Sequence, residues 1–173
     1  MKWSAFPLHP DTPEEGLTLE ELFAGRLVDI NQIRARLKRV ADAEGLPLGE
    51  RERTFNSRLA QELGKWAESR GKGDPYHLAV FRAYFADGRN IGKRDELVRL
   101  AESLGLPGEE ARKILETRAF KAAVDQDWAR SKALGITAVP TLVLGQGVLV
   151  GAQPYEKLES FVRAGGVGRR ASH

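Results

Sequence analysis

Cysteine is absent from this chain. Its absence excludes disulfides, thiolate metal sites and any thiol nucleophile supplied by these 173 residues. Clusters of histidine and carboxylate residues at metal-ligand spacing are missing as well, and so is a glycine-rich phosphate loop. The sequence therefore predicts no metal site, no cofactor and no catalytic residue within the chain.

Long apolar runs are also missing. No run approaches the ~20 apolar residues that a membrane helix needs, which favours a soluble protein without a membrane partner. The first residues, MKWSAFPLHPDTPEEG, contain no basic region followed by an apolar stretch and no small-residue cleavage site. We therefore expect a cytoplasmic location.

The chain also lacks a strong excess of charge of either sign. The formal net charge is +3 at pH 7, and acidic residues are interspersed among the basic ones. The densest basic run, residues 34–39, lies on a helical pattern and is typical of a solvated helix face. The sequence thus predicts no nucleic-acid partner.

What the chain does contain is a long helical block. Thr18 and Glu21 have the spacing of a capping box in front of a short helix. Further segments carry apolar residues at helical spacing, and we interpret their large aromatic residues as core. Their stripes are Ile30, Ile33, Leu37 and Val40; Leu59, Leu63 and Trp66; Leu78, Phe81 and Phe85; Leu97, Leu100, Ala101 and Leu104; Ala111, Ile114 and Leu115; and Phe120, Val124 and Trp128.

Segments with β propensity flank this block. Residues 2–6 are a candidate strand, and TLVLGQGVLV, residues 141–150, predicts a tight antiparallel hairpin around Gly145 and Gly147. A last helix follows, with Pro154 near its start and a stripe formed by Tyr155, Leu158 and Val162. Pro140 lies where the hairpin begins, a position at which proline needs a structural or chemical reason because it removes a backbone donor.

Four stretches resemble a known family. GITAVPTLVLGQGVLVGAQPYEKL, residues 135–158, resembles the C-terminal half of DsbA-like thioredoxin-fold proteins. Upstream, FPLHPDTPEEGL, NSRLAQELGKWAE and FRAYFADGRNIG resemble the FrnE branch of that family, a relative of the 2-hydroxychromene-2-carboxylate isomerases and kappa-class glutathione transferases. The order and spacing of these stretches extend the resemblance over nearly the whole chain.

The resemblance implies an α/β, thioredoxin-like (DsbA-like) fold with a large helical insertion. Family members begin with a strand and a helix that carry Cys-x-x-Cys, or a serine in the isomerase branch. This sequence resembles the family from its second strand onward, Trp3 to Phe6, so we expect the first strand, the first helix and the nucleophile to be missing. The implied organisation is a single domain over 1–173, with the helical insertion at 18–134, the remaining thioredoxin core at 1–17 plus 135–165 and a flexible tail at 166–173.

The resemblance also gives Pro140 a role. It implies that the Val139–Pro140 bond is cis and that the backbone of Val139 pairs with an extended peptide or with glutathione. We therefore expect Val139, Pro140 and Thr141 to form the substrate-binding segment. Without the resemblance, a trans proline at a strand entry is the default interpretation.

Other polar residues invite a functional interpretation but have a structural alternative. His9 precedes Pro10 in a loop and lacks a serine or cysteine partner, which favours a loop or capping histidine over a general base. Asn56 either contacts a ligand or, by default, caps the helix that follows it. We assign no role to His77 or His173.

Three functions stay open at this stage. The leading hypothesis is a FrnE-type thiol–disulfide oxidoreductase domain whose redox cysteines lie outside this chain; whether the chain alone is an enzyme is open. The second is a non-catalytic module that docks an extended peptide, and the third is a glutathione-dependent isomerase or transferase with an upstream serine. The missing strand leaves open edges at Trp3–Phe6 and Thr141–Leu144, and we expect the chain to close this gap by shifting a strand, to pair with another chain, for example as a homodimer, or to be marginally stable.

Overall fold

The computed structural model describes residues 2–25 and 27–168. The chain divides into two compact units, Met1–Leu8 with Asp127–His173 (unit 1) and His9–Gln126 (unit 2). Of the predicted tail at 166–173, residues 169–173 lie outside the described residues, and they include His173. Within the described residues, no helix combines the length and the apolar character that spanning a membrane requires. The predicted insertion at 18–134 stays a prediction.

Unit 2 is built almost entirely of helices. A two-residue antiparallel pairing of β1 (Leu17–Thr18) with β2 (Arg53–Thr54) joins its N-terminal segment to the start of the main bundle. Its helices are α1 (Leu19–Leu22), α2 (Ile30–Ala43), α3 (Arg58–Ser69), α4 (Gly73–Phe81), α5 (Arg94–Ser103), α6 (Gly108–Thr117) and the first part of α7 (Lys121–Ala133), whose remainder belongs to unit 1. The capping box at Thr18 and Glu21 is present in front of α1, as predicted.

The core of unit 2 lies where α3, α4, α5 and α6 meet. Its largest fully buried side chains are Leu63, Trp66, Tyr76, Leu97 and Leu115. These residues include members of the predicted stripes of α3, α5 and α6, and those three predictions are confirmed. Burial of large apolar side chains in one cluster is the main source of stability for this unit.

The predicted stripe of α4 is wrong. Leu78, Phe81 and Phe85 are exposed at 66%, 42% and 41% of their area, whereas Tyr76 and Val80 are buried. Two apolar stripes of similar spacing lie on this helix, and the stripe that contains Tyr76 and Val80 packs inward. The Tyr76 hydroxyl donates there to the Ala60 carbonyl at 3.3 Å. The helix then widens into a π-helical turn at Arg82–Ala86, which changes the register of the residues that follow. The other two predicted core aromatics differ, since Trp66 is buried and Trp128 is half-buried.

Unit 1 contains the predicted hairpin and the last helix. Strands β3 (Thr141–Leu144) and β4 (Gly147–Val150) pair in antiparallel register, with Thr141 opposite Val150 and Leu144 opposite Gly147. Gly145 takes a φ of 59° in the two-residue loop, a conformation that glycine adopts without a Cβ penalty. Helix α8 (Tyr155–Ala164) follows.

Among the described residues, the segment 2–6 belongs to neither of the two sheets, so the strand predicted there is not found. Its backbone is held differently: the Ala5 N–H donates to Asp127 Oδ2 at 2.8 Å. A carboxylate takes the place of a neighbouring strand as acceptor, so no ladder forms.

Candidate functional site

The segment between α7 and β3 has a defined local structure. Helix α7 ends with Gly135 in the left-handed region, at φ 65°, and the Ile136 N–H returns to the Ser131 carbonyl at 3.0 Å. This Schellman-type ending turns the chain toward the hairpin. The Val139–Pro140 peptide bond is cis, and the Thr141 hydroxyl donates to the Ala138 carbonyl at 2.6 Å.

The hairpin register decides which way each backbone group of this segment points. The Gly151 N–H donates to the Pro140 carbonyl at 2.8 Å, which continues the β3–β4 ladder by one position. In an antiparallel ladder, backbone groups point alternately toward the partner strand and away from it. Pro140 therefore faces β4, while the N–H and C=O groups of Val139, Thr141 and Val143 point to the opposite edge of β3.

That opposite edge is open. Among the residues that the structure describes, β3 pairs with β4 alone. Pro140 is exposed, and Val139 is 43% exposed. Because Pro140 has no N–H, its pair with Gly151 keeps the bond from the Gly151 N–H and lacks the return bond on the β4 side, while the outward donor of Thr141 is unaffected.

One face of the hairpin is uncovered as well. Val143, Val148 and Val150 are 41%, 55% and 50% exposed. The other face packs on α8, because a Cβ placed on Gly147 would lie 3.0 Å from the ring of Phe161. The segment Val139–Thr141 thus stands beside an apolar, solvent-exposed sheet face.

This site offers binding groups and no reactive ones. Val139, Pro140 and Thr141 supply backbone donors and acceptors, apolar surface and one hydroxyl. Within residues 2–25 and 27–168, no group of three or more histidine and carboxylate side chains is placed to hold a metal ion. The geometry suits an extended chain that adds to the edge of β3.

Asn56 serves the fold. Its Oδ1 accepts from the Arg58 N–H at 2.9 Å, and its Nδ2 donates to the carbonyls of Pro10 and Thr12 at 3.1 and 2.7 Å. The N-cap position of α3 is occupied by Ser57, so the N-cap prediction is wrong by one residue. The amide instead forms a turn before the helix and fastens the 10–12 loop to it.

The histidines lie in structural surroundings too. His77 Nε2 lies 3.2 Å from Glu68 Oε1. The carbonyl of His9 accepts from the Thr12 N–H at 3.3 Å, which fits the predicted loop role.

A buried ion cluster in unit 2 is the feature that sequence reasoning missed. The Glu62 carboxylate has 1% of its side chain exposed and accepts from Arg58 at 2.6 Å and from Arg118 through two bonds of 2.7 Å. Burial acts to raise the pKa of Glu62, but the hydrogen bonds and charges of Arg118 and Arg58 outweigh it, and the pKa lies below its usual value. Arg58 also binds Asp125 at 2.6 Å. The spacing of Arg58 and Glu62 is a visible helix pair in the sequence, whereas Arg118 is not signalled.

A charged depression of about 470 Å³ lies elsewhere in unit 2. Its walls balance Lys93, Arg94, Arg99 and Arg112 against Glu14, Asp95, Glu96 and Glu116. The hydrogen bond from Arg112 holds the pKa of Asp95 below its usual value. Arg112 pairs with Asp95 and Arg99 with Glu96 in this wall, so charges of both signs are mixed and neither sign dominates the depression.

Comparison with known proteins adds the family context. The family model of the DSBA-like thioredoxin domain matches residues 1–163. The crystal structure of a probable DsbA oxidoreductase from Streptomyces coelicolor aligns with 98% of this chain and 77% of its own chain, at a TM-score of 0.84 and 29% identity. A 2-hydroxychromene-2-carboxylate isomerase aligns with 79% of this chain and 66% of its own, at a TM-score of 0.68 and 21% identity, which shows a shared fold alone.

A curated relative is more similar in sequence over a shorter span. The uncharacterized protein YwbO of Bacillus subtilis (strain 168) is 36% identical over 105 residues, which are 60% of this chain and 52% of the relative. The match thus spans about half the length of that relative.

Proposed function

The chain belongs to the DSBA-like thioredoxin domain family, and on that premise we propose that it is the substrate-docking part of a thiol–disulfide oxidoreductase. The predicted α/β, DsbA-like fold is confirmed by the family match and by the Streptomyces coelicolor structure. The proposal assigns peptide docking to Val139, Pro140 and Thr141 and assigns the redox cysteines to residues outside the 173 of this chain.

The open edge of β3 is the observation that carries the docking assignment. Its outward backbone groups, at Val139 and Thr141, form the donor and acceptor row that an extended peptide needs, and Val139 is 43% exposed. Main-chain pairing of this kind is independent of the peptide's sequence, whereas pockets for side chains supply specificity. An oxidoreductase that acts on many unfolded substrates benefits from such sequence-independent pairing.

The proposed reaction needs a cysteine pair next to the docked peptide. A cysteine thiolate attacks one sulfur of the substrate disulfide and forms a mixed disulfide, and the other substrate sulfur leaves as a thiolate. The second cysteine then attacks the mixed disulfide, so that the pair is oxidised and the substrate disulfide is reduced to two thiols; the reverse sequence oxidises the substrate. A helix N-terminus lowers the pKa of a cysteine thiol placed there, and this is the usual way to make the first cysteine available as a thiolate.

Two observations support a longer product that supplies this pair. The exposed face of Val143, Val148 and Val150 and the open edge of β3 are surfaces that a further strand and helix would cover. Nearly all of this chain, 98%, aligns with only 77% of the Streptomyces coelicolor chain, so that protein has residues with no counterpart here. Translation of the DNA upstream of Met1 tests this part, and an upstream frame without Cys-x-x-Cys would refute the oxidoreductase assignment.

The absence of cysteine favours a second candidate, a binding module without redox activity. It uses the same β3 edge and predicts that the endogenous product has the 19.1 kDa mass of this chain. Intact mass spectrometry of the endogenous protein separates the two candidates. The cytoplasmic location, glutathione as a thiol substrate, and homodimers through strand edges stay predictions.

Docking at β3 is tested with a matched pair of variants. Thr141→Pro removes an N–H that points to the open edge, so the hairpin should persist while peptide docking is lost. Thr141→Val removes the hydroxyl but keeps the N–H. With fluorescent, S-carboxymethylated insulin B chain as the probe, we expect Thr141→Pro to weaken binding at least about tenfold and Thr141→Val to change it less than about threefold. Equal binding by wild type and Thr141→Pro, with the hairpin intact by hydrogen exchange, would exclude docking at this edge.

The redox assignment predicts that the isolated chain is inactive. Without a thiolate it has no group to attack a disulfide. We expect the rate of insulin reduction by dithiothreitol to equal that of a no-protein control. A rate above this control would contradict the assignment of the chemistry to residues outside the chain.

A further inference from the structure

Helix α2 carries an apolar face that its own chain leaves uncovered. The face is formed by Leu27 (109% exposed), Val28 (36%), Ile33 (42%), Leu37 (52%), Val40 (54%) and Leu46 (61%). We call these six residues the α2 face. No residue of α2, Ile30 to Ala43, is buried.

The α2 face is continuous from one end of the helix to the other. Val28 precedes the N-cap residue Asp29, whose Oδ1 accepts from the Gln32 N–H at 2.9 Å; this is the position of a hydrophobic staple to Ile33. Ile33, Leu37 and Val40 follow at i, i+4 and i+7.

Leu46 is brought to the same face by the ending of the helix. Its N–H bonds the Ala41 carbonyl at 2.8 Å, and Gly45 takes a φ of 66°. In this Schellman geometry the residue after the glycine packs near the last helical turn, here beside Val40.

An uncovered helix of this length needs a partner. Helices shorter than about 12–15 residues are marginal in water, and most helical stability in proteins comes from burial of an apolar face. The one side-chain bond that fastens the middle of α2 to the described part of unit 2 runs from Arg34 Nη2 to the Arg51 carbonyl, at 2.6 Å. The apolar face gains nothing from that bond, because its residues point elsewhere.

We propose that the α2 face is a homodimer interface, in which the α2 helices of two copies pack antiparallel about a two-fold axis near Val40. About this axis Leu27 and Val28 lie opposite positions 53 and 52, outside the other α2, and the exposed parts of the remaining four side chains present on the order of 400 Å² of apolar area, within the range of the largest patch on a typical monomer. A standard interface buries roughly 800 Å² per partner, rather more than half of it apolar. The α2 face therefore has about the apolar area that one side of a dimer requires.

Charge complementarity favours a second copy as the partner. In an antiparallel pair centred on Val40, residues whose numbers differ from 40 by the same amount in opposite directions face each other. Arg36 then lies opposite Glu44 of the other copy, and the two-fold axis produces this pairing twice. Both side chains are exposed in the single chain; Arg36 lies beside the apolar stripe, and Glu44 is the C-cap residue at the end of it.

A second copy fits this face better than a lipid surface does. Two residues of the basic run 34–39 have partners within the chain: Arg34 donates to the backbone carbonyl of Arg51, and Lys38 forms an ion pair with Asp42 at 2.6 Å. Asp42 and Glu44 add negative charge at the end of the helix, which disfavours an anionic membrane.

The oligomeric state of the 173-residue chain tests the proposal. In sedimentation velocity at about 100 μM, above the micromolar dissociation constants of weak interfaces of this size, we expect a species of twice 19.1 kDa. Leu37→Glu should raise the dissociation constant at least about tenfold. Leu134→Glu is the matched control, because Leu134 is 50% exposed and lies outside the α2 face. A monomeric wild type, or a Leu134→Glu variant that dissociates equally, would overturn the proposal.

A charge exchange tests the antiparallel geometry. Arg36→Glu and Glu44→Arg should each weaken the dimer several-fold, and the double variant should restore it, because the pair is then reversed in both copies. A double variant weaker than either single one would refute the register about Val40. Binding of a monomeric chain to phosphatidylserine vesicles, abolished by Leu37→Glu, would assign the face to a membrane instead and overturn the dimer.

Discussion

At the scale of single residues, Glu62 has the most demanding environment. Its carboxylate is almost fully buried, and a buried charge is tolerated only when partners replace the water it has lost. Arg118 provides two of its bonds from the end of α6, where its backbone takes the left-handed φ of 54°. Because a non-glycine residue resists that conformation, the ion pair and the backbone are mutually dependent at this position.

Removal of the Glu62 charge should destabilise unit 2. Glu62→Gln replaces the carboxylate that Arg58 and Arg118 share by a neutral amide, although Arg58 keeps its ion pair with Asp125. We expect the free energy of unfolding to fall by about 2–3 kcal/mol. Urea unfolding followed by the far-ultraviolet circular dichroism of the helices measures this loss. The control is Asp95→Asn, which removes the exposed pair with Arg112 and should leave the free energy of unfolding nearly unchanged, because water screens that pair. Equal effects of the two variants would show that burial of Glu62 adds nothing.

The same residue predicts a pH dependence. The pKa of Glu62 is lower in the folded state than its usual value of 4.5, so the folded state favours the charged form. Its contribution to stability is therefore fully present above about pH 4.5 and is lost as the pH falls through the lower folded-state pKa. We expect the difference in unfolding free energy between wild type and Glu62→Gln to be constant from pH 7 to pH 5 and to shrink below that. A difference that grows on acidification would contradict the sign of the shift.

Residue-scale features differ in how far the sequence predicts them. The role of Val139, Pro140 and Thr141 came from a family resemblance, and their outward direction needed the hairpin register. Arg58 and Glu62 are neighbours on one helix turn and are visible as a pair. Their partner Arg118 is separated by 56 positions from Glu62, and no local pattern links residues so far apart in the chain.

At the scale of elements, apolar spacing predicts where helices form and not which face is covered. The spacing located α2 and α4 correctly as helices. Its error was to bury Phe81 and Phe85, because an apolar stripe indicates a partner without saying whether that partner belongs to the same chain. The missing strand at residues 2–6 has the same origin, since a strand exists only when another strand pairs with it.

Helix α8 and the hairpin meet at glycines, which gives an element-scale prediction. A Cβ at Gly165 would overlap the side chain of Leu144, whereas a Cβ at Gly168 would meet open space. Both residues have backbone conformations outside the positive-φ region, so alanine is tolerated at each apart from this contact. We expect Gly165→Ala to destabilise the hairpin by about 1–2 kcal/mol and Gly168→Ala to be neutral, measured by hydrogen exchange of residues 141–150. Identical exchange in both variants would show that Leu144 does not pack on Gly165.

At the scale of the whole molecule, burial is distributed unevenly between the two units. The fully buried apolar side chains, such as Leu63 and Leu97, belong to unit 2. Among the described residues of unit 1, Ser131 is the one buried side chain. Since stability follows apolar burial, unit 2 should fold as a stable bundle, while unit 1 depends on a two-stranded sheet, helix α8 and the second part of α7.

This imbalance predicts that the two units lose structure at different denaturant concentrations. Local unfolding free energies range from near zero for thinly packed segments to the global value for core helices, so the β3 and β4 amides should open well before those of α3 and α5. Hydrogen exchange in increasing urea, followed on peptides from residues 141–150, 58–69 and 94–103, measures each segment separately. We expect residues 141–150 to exchange fully at urea concentrations that leave the other two protected. A further strand and helix over the β3 edge would bury Val143 and its neighbours, and should therefore bring the urea concentration at which residues 141–150 exchange closer to that of the helices. Simultaneous loss of protection in all three segments of the present chain would contradict the prediction, because unit 1 would then draw its stability from the same cooperative core as unit 2.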